Sequence, residues 1–123
     1  MKVLVIDDDK AIRDLIKMIL SSEDCNVIEA DNGKVGLAKV RDEMPDMVIC
    51  DLIMPVQEGM ETITKICEDY PEIKVVAISG GGRIEADSYL SIAKTLGAWK
   101  IFSKPIDGEE LIKTLIEVKR LKE

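Results

Sequence analysis

Five short apolar runs, each followed by a stretch of helical character, constrain this chain more than any other feature of its sequence. Lys2–Ile6 (KVLVI) reads as a buried strand. Ile12, Leu15, Ile16, Ile19 and Leu20 then recur at i, i+3, i+4, i+7 and i+8, the stripe of an amphipathic helix. Cys25–Ala30 is a second, weaker strand, and Asn32-Gly33 opens a second helix that Met44-Pro45 closes. Met47–Cys50 (MVIC) is a third strand leading straight into Asp51. A third helix over Gly59–Tyr70 carries Met60, Ile63, Ile66 and Cys67 and stops at Pro71. Lys74–Ser79 (KVVAIS) is a fourth strand, Gly80-Gly81-Gly82 a flexible loop, Ile84–Leu96 a fourth helix and Lys100–Ser103 a short fifth strand. The last helix begins with a capping-box-like Asp107-x-x-Glu110 and presents Leu111, Ile112, Leu115 and Ile116.

Apolar strands alternating with helices predict an α/β fold whose parallel sheet is covered on both faces. With right-handed crossovers, (βα)5 becomes a doubly wound parallel sheet, and the flavodoxin-like order 2-1-3-4-5 is the natural one for five strands. No linker, repeat or low-complexity stretch divides residues 1–123, so a single domain is expected. Ligands in such sheets bind at the carboxyl ends of the strands, where the order reverses beside strand 1. Asp7-Asp8-Asp9, Asp51, Ser79 and Lys104-Pro105 all fall at those ends.

The composition narrows the function further. A formal net charge of −7 argues against direct nucleic-acid binding, which needs clustered Lys and Arg. The basic residues are scattered on helix faces apart from Lys119, Arg120 and Lys122. There is no histidine, which removes Ser-His and Cys-His catalysis and histidine metal sites. Cys25, Cys50 and Cys67 lack metal-ligand spacing, and Cys50 and Cys67 sit at apolar positions where small buried hydrophobes are expected. No apolar run approaches the roughly 20 residues that span a bilayer, and no signal peptide is evident, so a cytoplasmic protein without membrane contact is expected.

Asp9 alone reads as a helix N-cap. Three consecutive acids are more than a cap needs, and the fold brings Asp51 to the same edge. Two carboxylates about 4 Å apart repel by roughly 1 kcal/mol in water and about 4 kcal/mol at an effective dielectric of 20. A hard divalent cation removes that conflict, and Mg²⁺ commonly takes one or two carboxylates with waters and a phosphate oxygen. Asp51 is then a ligand alone or also a nucleophile, since a carboxylate can attack phosphorus to give an acyl phosphate. Phosphoryl transfer asks for positioning and neutralisation of the equatorial oxygens, which Mg²⁺, the Lys104 ammonium and the Ser79 hydroxyl would supply. Pro105 fixes the backbone after Lys104, and the Lys104–Pro105 bond is a candidate for cis.

VLVIDDDKAIRDLI, VICDLIMPVQEG, VVAISGG and GAWKIFSKPI together resemble the receiver domains of two-component response regulators over essentially the whole chain. The resemblance implies Asp51 as phosphoacceptor, Asp8 as a direct Mg²⁺ ligand, Asp7 acting through water and the Ile53 backbone carbonyl as a further ligand. It also implies Ser79 as the switch hydroxyl and Lys104 as the essential lysine. The implied partner is a sensor histidine kinase or phosphotransfer protein, and the implied role is a signalling switch that catalyses its own phosphorylation and dephosphorylation. In this family the face of the fourth helix, fifth strand and last helix often carries a homodimer or partner contact.

Three departures from the family pattern stand out. Glu58 replaces the aspartate that usually precedes the glycine, here Gly59. The stretch from Ser79 to Lys104 is a few residues longer than usual. Ile101 stands where the family usually has Tyr or Phe, and Phe102 should point to the opposite sheet face. Switching would then be read out by the glycine loop and the fourth helix, with Ile101 as a packing element. An FMN-binding flavodoxin is disfavoured because three aspartates after strand 1 would repel its phosphate. A phosphatase of the haloacid dehalogenase class is disfavoured because Ile53 stands where a second aspartate is needed. A stand-alone relay, a receiver cut from a longer DNA-binding regulator and a phosphorylation-independent adaptor stay open.

Overall fold

A computed structural model describes residues 1–52, 54, 58–79 and 95–122. Its elements in chain order are β1 (Lys2–Ile6), α1 (Lys10–Leu20), β2 (Asn26–Ala30), α2 (Gly33–Glu43), β3 (Met47–Asp51), α3 (Glu58–Asp69), β4 (Lys74–Ser79), β5 (Lys100–Ser103) and a last helix, Gly108–Leu121. Ile53, the Gly80–Gly82 loop and the helix expected over Ile84–Leu96 lie outside the described residues, except for helical Thr95 and Leu96.

All five strands are parallel and their order is β2-β1-β3-β4-β5, as the alternating pattern predicts. Strand parity sorts the core into two layers. Leu4, Ile6, Val48, Cys50, Val75 and Ala77 pack with Val40, Ile63 and Ile66 of α2 and α3. Their chain neighbours Val3, Val5, Met47, Ile49, Val76 and Ile78 pack with Ile16 and Leu20 of α1 and with Leu111, Leu115 and Val118 of the last helix. β5 divides in the same way, with Ile101 against the first layer and Phe102 against the second. Burying a large aliphatic side chain contributes about 1.5–3 kcal/mol, so the two layers set the strand register firmly.

Local signals account for the boundaries. Asp9 caps α1 by accepting from the Ala11 N–H at 2.9 Å, and Asp107 caps the last helix by accepting from Glu109 and Glu110. Met44 ends α2 in the left-handed region, at φ 46°. β2 starts one residue later than expected because the Cys25 N–H is engaged by the Glu23 carbonyl. β3 runs one residue further, because Asp51 stays in register with Ile78 of β4. The only tryptophan, Trp99, is met by the Lys74 and Lys100 ammonium groups, 5.7 Å and 4.9 Å from its ring centroid.

Candidate functional site

Register places the first two acids. Ile6 pairs with Cys50, so the next residues along β1 and β3, Asp7 and Asp51, emerge side by side at the carboxyl edge of the sheet. Asp8 adds a third carboxylate, and one oxygen from each of Asp7, Asp8 and Asp51 lies within 4.8 Å of the others. Asp7 is 1% exposed and Asp51 2%, while Asp8 faces solvent. This is an acidic cluster with the oxygen donors and spacing suited to a divalent cation.

Asp7 is held at nearly every polar atom. Its N–H donates to the Ala30 carbonyl at 3.1 Å, and its carbonyl accepts from Arg13 Nη1 at 2.8 Å. Its Oδ1 accepts from the Asp9 N–H at 2.9 Å, whereas the buried Oδ2 has no hydrogen bond. Burial pushes the Asp7 carboxyl above its ordinary range and the Asp51 charge pushes the same way, against the Asp9 amide and Lys104.

Lys104 directly follows β5 and is joined to Pro105 by a cis bond, and the Lys104 N–H is anchored on the Ser79 carbonyl at 2.9 Å. Its Nζ lies 3.3 Å from Asp51 Oδ2 and 3.5 Å from Asp7 Oδ2. Burial alone would lower the Lys104 pKa; the charges of Asp51 and Asp7 outweigh it and raise the value, which keeps the ammonium charged. Ser79 ends β4 fully buried, and its Oγ has no hydrogen-bond partner among the described residues. A buried hydroxyl without a partner carries a desolvation cost of about 1–3 kcal/mol, which an incoming acceptor would relieve.

The expected residues Asp7, Asp8, Asp51 and Lys104 therefore meet at one edge, with Ser79 at the adjoining strand end. Ile101 lies one strand outward, half-buried beside Ala77, and Ile53 is outside the described residues. Sequence reasoning missed Arg13. It reads as one of the basic residues on helix faces, yet its guanidinium turns inward to Asp7 and to Glu29 Oε1 at 3.2 Å. The Cys50 thiol beneath the site donates to the Asp51 carbonyl at 3.6 Å, and burial raises its pKa far above the ordinary thiol range, which leaves it inert.

Comparison with known proteins adds to this geometry. The family model for the response regulator receiver domain matches residues 3–116. The chain belongs to the response regulator receiver family. This receiver domain is 30% identical to sporulation initiation phosphotransferase F of Bacillus subtilis, over 89% of this chain and 86% of that protein. It is 34% identical to the transcriptional regulatory protein GlnL of the same organism, over 97% of this chain but 38% of the other. Among solved structures, the receiver domain of NtrX from Brucella abortus superimposes with a TM-score of 0.83 at 31% identity, covering 94% of this chain and 96% of that one. Receiver domains thus match this chain both as nearly whole proteins and as parts of longer ones. No helix among the described residues is long and apolar enough to cross a membrane.

Proposed function

We propose that this receiver domain accepts a phosphoryl group on Asp51 and changes its partner-binding face in response. The observation that carries the reading is the seating of Lys104 over Asp51 beside the Asp7–Asp8 carboxylates at the ends of three strands. Mg²⁺ fits this donor set, because the buried Asp7 Oδ2 lacks a hydrogen bond and three carboxylates crowd together while Lys104 reaches only Asp7 and Asp51 among them. Asp7, Asp8 and Asp51 would hold the ion, with the Ile53 carbonyl as a further ligand. When bound, Mg²⁺ neutralises charge on the phosphoryl oxygens.

The chain's own residues do the rest. A carboxylate oxygen of Asp51 forms the bond to phosphorus as the bond to the donor nitrogen of a phosphohistidine breaks. The leaving imidazole keeps that electron pair. A small acyl phosphate can replace the phosphohistidine, and a carboxylate then leaves. Lys104 holds a positive charge against the equatorial oxygens, and the buried Ser79 hydroxyl gains an acceptor in the phosphorylated state only. That differential contact would favour the switched state, with Ile101 as a packing element in place of an aromatic rotamer. Replacing Ile101 with Tyr should alter partner affinity in at least one phosphorylation state; affinities unchanged from wild type in both states would remove the position from the switch.

The family supports a sensor histidine kinase or phosphotransfer protein as partner. We read the chain as one cytoplasmic domain and assign any homodimer contact to the face of the fifth strand and last helix with the helix expected over Ile84–Leu96. Intact mass after brief incubation with a small acyl phosphate tests the chemistry. One added phosphoryl group that requires both Mg²⁺ and Asp51 is expected, and it should be absent in Asp51→Asn and after chelation. An unmodified wild type, with a kinase donor also silent, would leave a phosphorylation-independent binding module.

A further inference from the structure

Glu58 is the residue at which this chain departs from the family by one extra methylene, and its carboxylate leaves its own helix. Glu58 Oε1 accepts from the N–H groups of Gly33 at 2.5 Å and Lys34 at 3.3 Å, the first two residues of α2. Asn32 Oδ1 accepts from the Val35 N–H at 2.8 Å, so every N–H of the first turn of α2 has an acceptor. Two of those three acceptor contacts come from a residue 24 to 25 positions away on α3. Such a helix end favours a carboxylate both by hydrogen bonding and by charge.

The contact surface is built for close approach. A Cβ on Gly33 would fall 2.1 Å from Thr62 Oγ1 and 2.9 Å from Glu58 Cγ, so only glycine admits this seating of α3. The next residue of α3, Gly59, lies flush against the acceptor strand. A Cβ there would fall 2.1 Å from the Asp51 carbonyl oxygen and 2.7 Å from that of Leu52. The start of α3 therefore touches α2 through Glu58 and the backbone of Asp51 through Gly59.

We propose that Glu58 is a positioning residue for Asp51. Bound to the N-terminus of α2, it fixes Gly59 against the Asp51 carbonyl and so sets the approach angle of the acceptor carboxylate. The family's usual aspartate is shorter by one methylene.

The proposal rests on the reading of Asp51 as the acceptor, and the experiment separates the two. Glu58→Gln keeps an acceptor oxygen at the same reach, Glu58→Asp shortens it, and Glu58→Ala removes it. The backbone amide spectrum of each variant reports the Gly33 and Lys34 contacts, and exchange of the Leu52 amide reports the position of the strand end. Phosphorylation rates with a small acyl phosphate and Mg²⁺ report the chemistry. Glu58→Asp and Glu58→Ala should shift the Gly33 and Lys34 amide signals, speed Leu52 exchange and phosphorylate about tenfold more slowly, because small misplacements of a reacting group are costly. Glu58→Gln should stay within about twofold of wild type. Shifted Gly33 and Lys34 signals with wild-type Leu52 exchange and rate would overturn the proposal. A wild type that takes no phosphoryl group would sink the reading of Asp51 instead. The brace would then stand or fall on Leu52 exchange, which must quicken in Glu58→Ala and not in Glu58→Gln.

Discussion

Asp7 and Asp51 are buried carboxylates that share one ammonium, Lys104. Neutralising Asp51 leaves Lys104 paired with Asp7 and removes one of three crowded carboxylates. Asp51→Asn should therefore raise the melting temperature in the presence of a chelator, by a few degrees for roughly 1 kcal/mol of relieved repulsion. The same variant should gain less stability from added Mg²⁺ than wild type does, and thermal melts with and without the ion would show a wild-type melting temperature or an undiminished gain if the argument fails. The meeting of Asp7, Asp8, Asp51 and Lys104 was legible in the sequence because each follows an apolar strand, and parallel strands end on one edge. Arg13 and Glu58 were not legible. Long polar side chains on helices usually reach water, and nothing in linear spacing shows that one finds a carbonyl at the end of β1 and the other the N–H groups of α2.

Helix ends and close contacts carry their own consequences. Asp107→Ala removes the acceptor for Glu109 and Glu110 and should cost about 1 kcal/mol, measurable by urea denaturation as a lower midpoint at unchanged slope. Gly59→Ala should cost more, about 1–3 kcal/mol or above, because the new methyl meets backbone carbonyls that cannot rotate away. A wild-type midpoint for Gly59→Ala would mean that α3 can slide off the strand end without penalty. The elements themselves were readable from periodicity, down to Ile101 and Phe102 facing opposite layers. Their ends shifted by a residue where a backbone hydrogen bond decided the matter: Cys25 bonds to a turn, and the last bond of α3 runs from the Tyr70 N–H to the Ile66 carbonyl. The approach of Gly59 to Asp51 depends on two elements packing and has no signature in either one.

Across the whole molecule, Asp46 joins the two chain ends at the edge of the sheet opposite the site. It accepts from the Lys2 N–H at 2.9 Å and pairs with Lys122 at 2.9 Å. Partial burial works to raise the Asp46 carboxyl, but Lys122 and the Lys2 amide prevail and hold it below its ordinary 3.8. A depressed carboxyl stabilises the fold above its unfolded value and loses that contribution as pH falls through the folded one. Asp46→Asn should therefore flatten the acid limb of the stability profile below about pH 4, and a limb as steep as wild type would dismiss the closure. The ties around the acidic cluster differ between its two flanks. Toward β2, Asp7 is bonded to Ala30, Arg13 and Asp9, and Arg13 leans in turn on Glu29, which Lys17 also holds. Toward β5, the Ser79 hydroxyl sits without a partner among the described residues, and Lys104 spans to both carboxylates at 3.3 Å and 3.5 Å. Arg13 and Glu29 thus tie the cluster to α1 and β2, while Lys104 alone, among the described residues, carries the charge of the cluster to the end of β5.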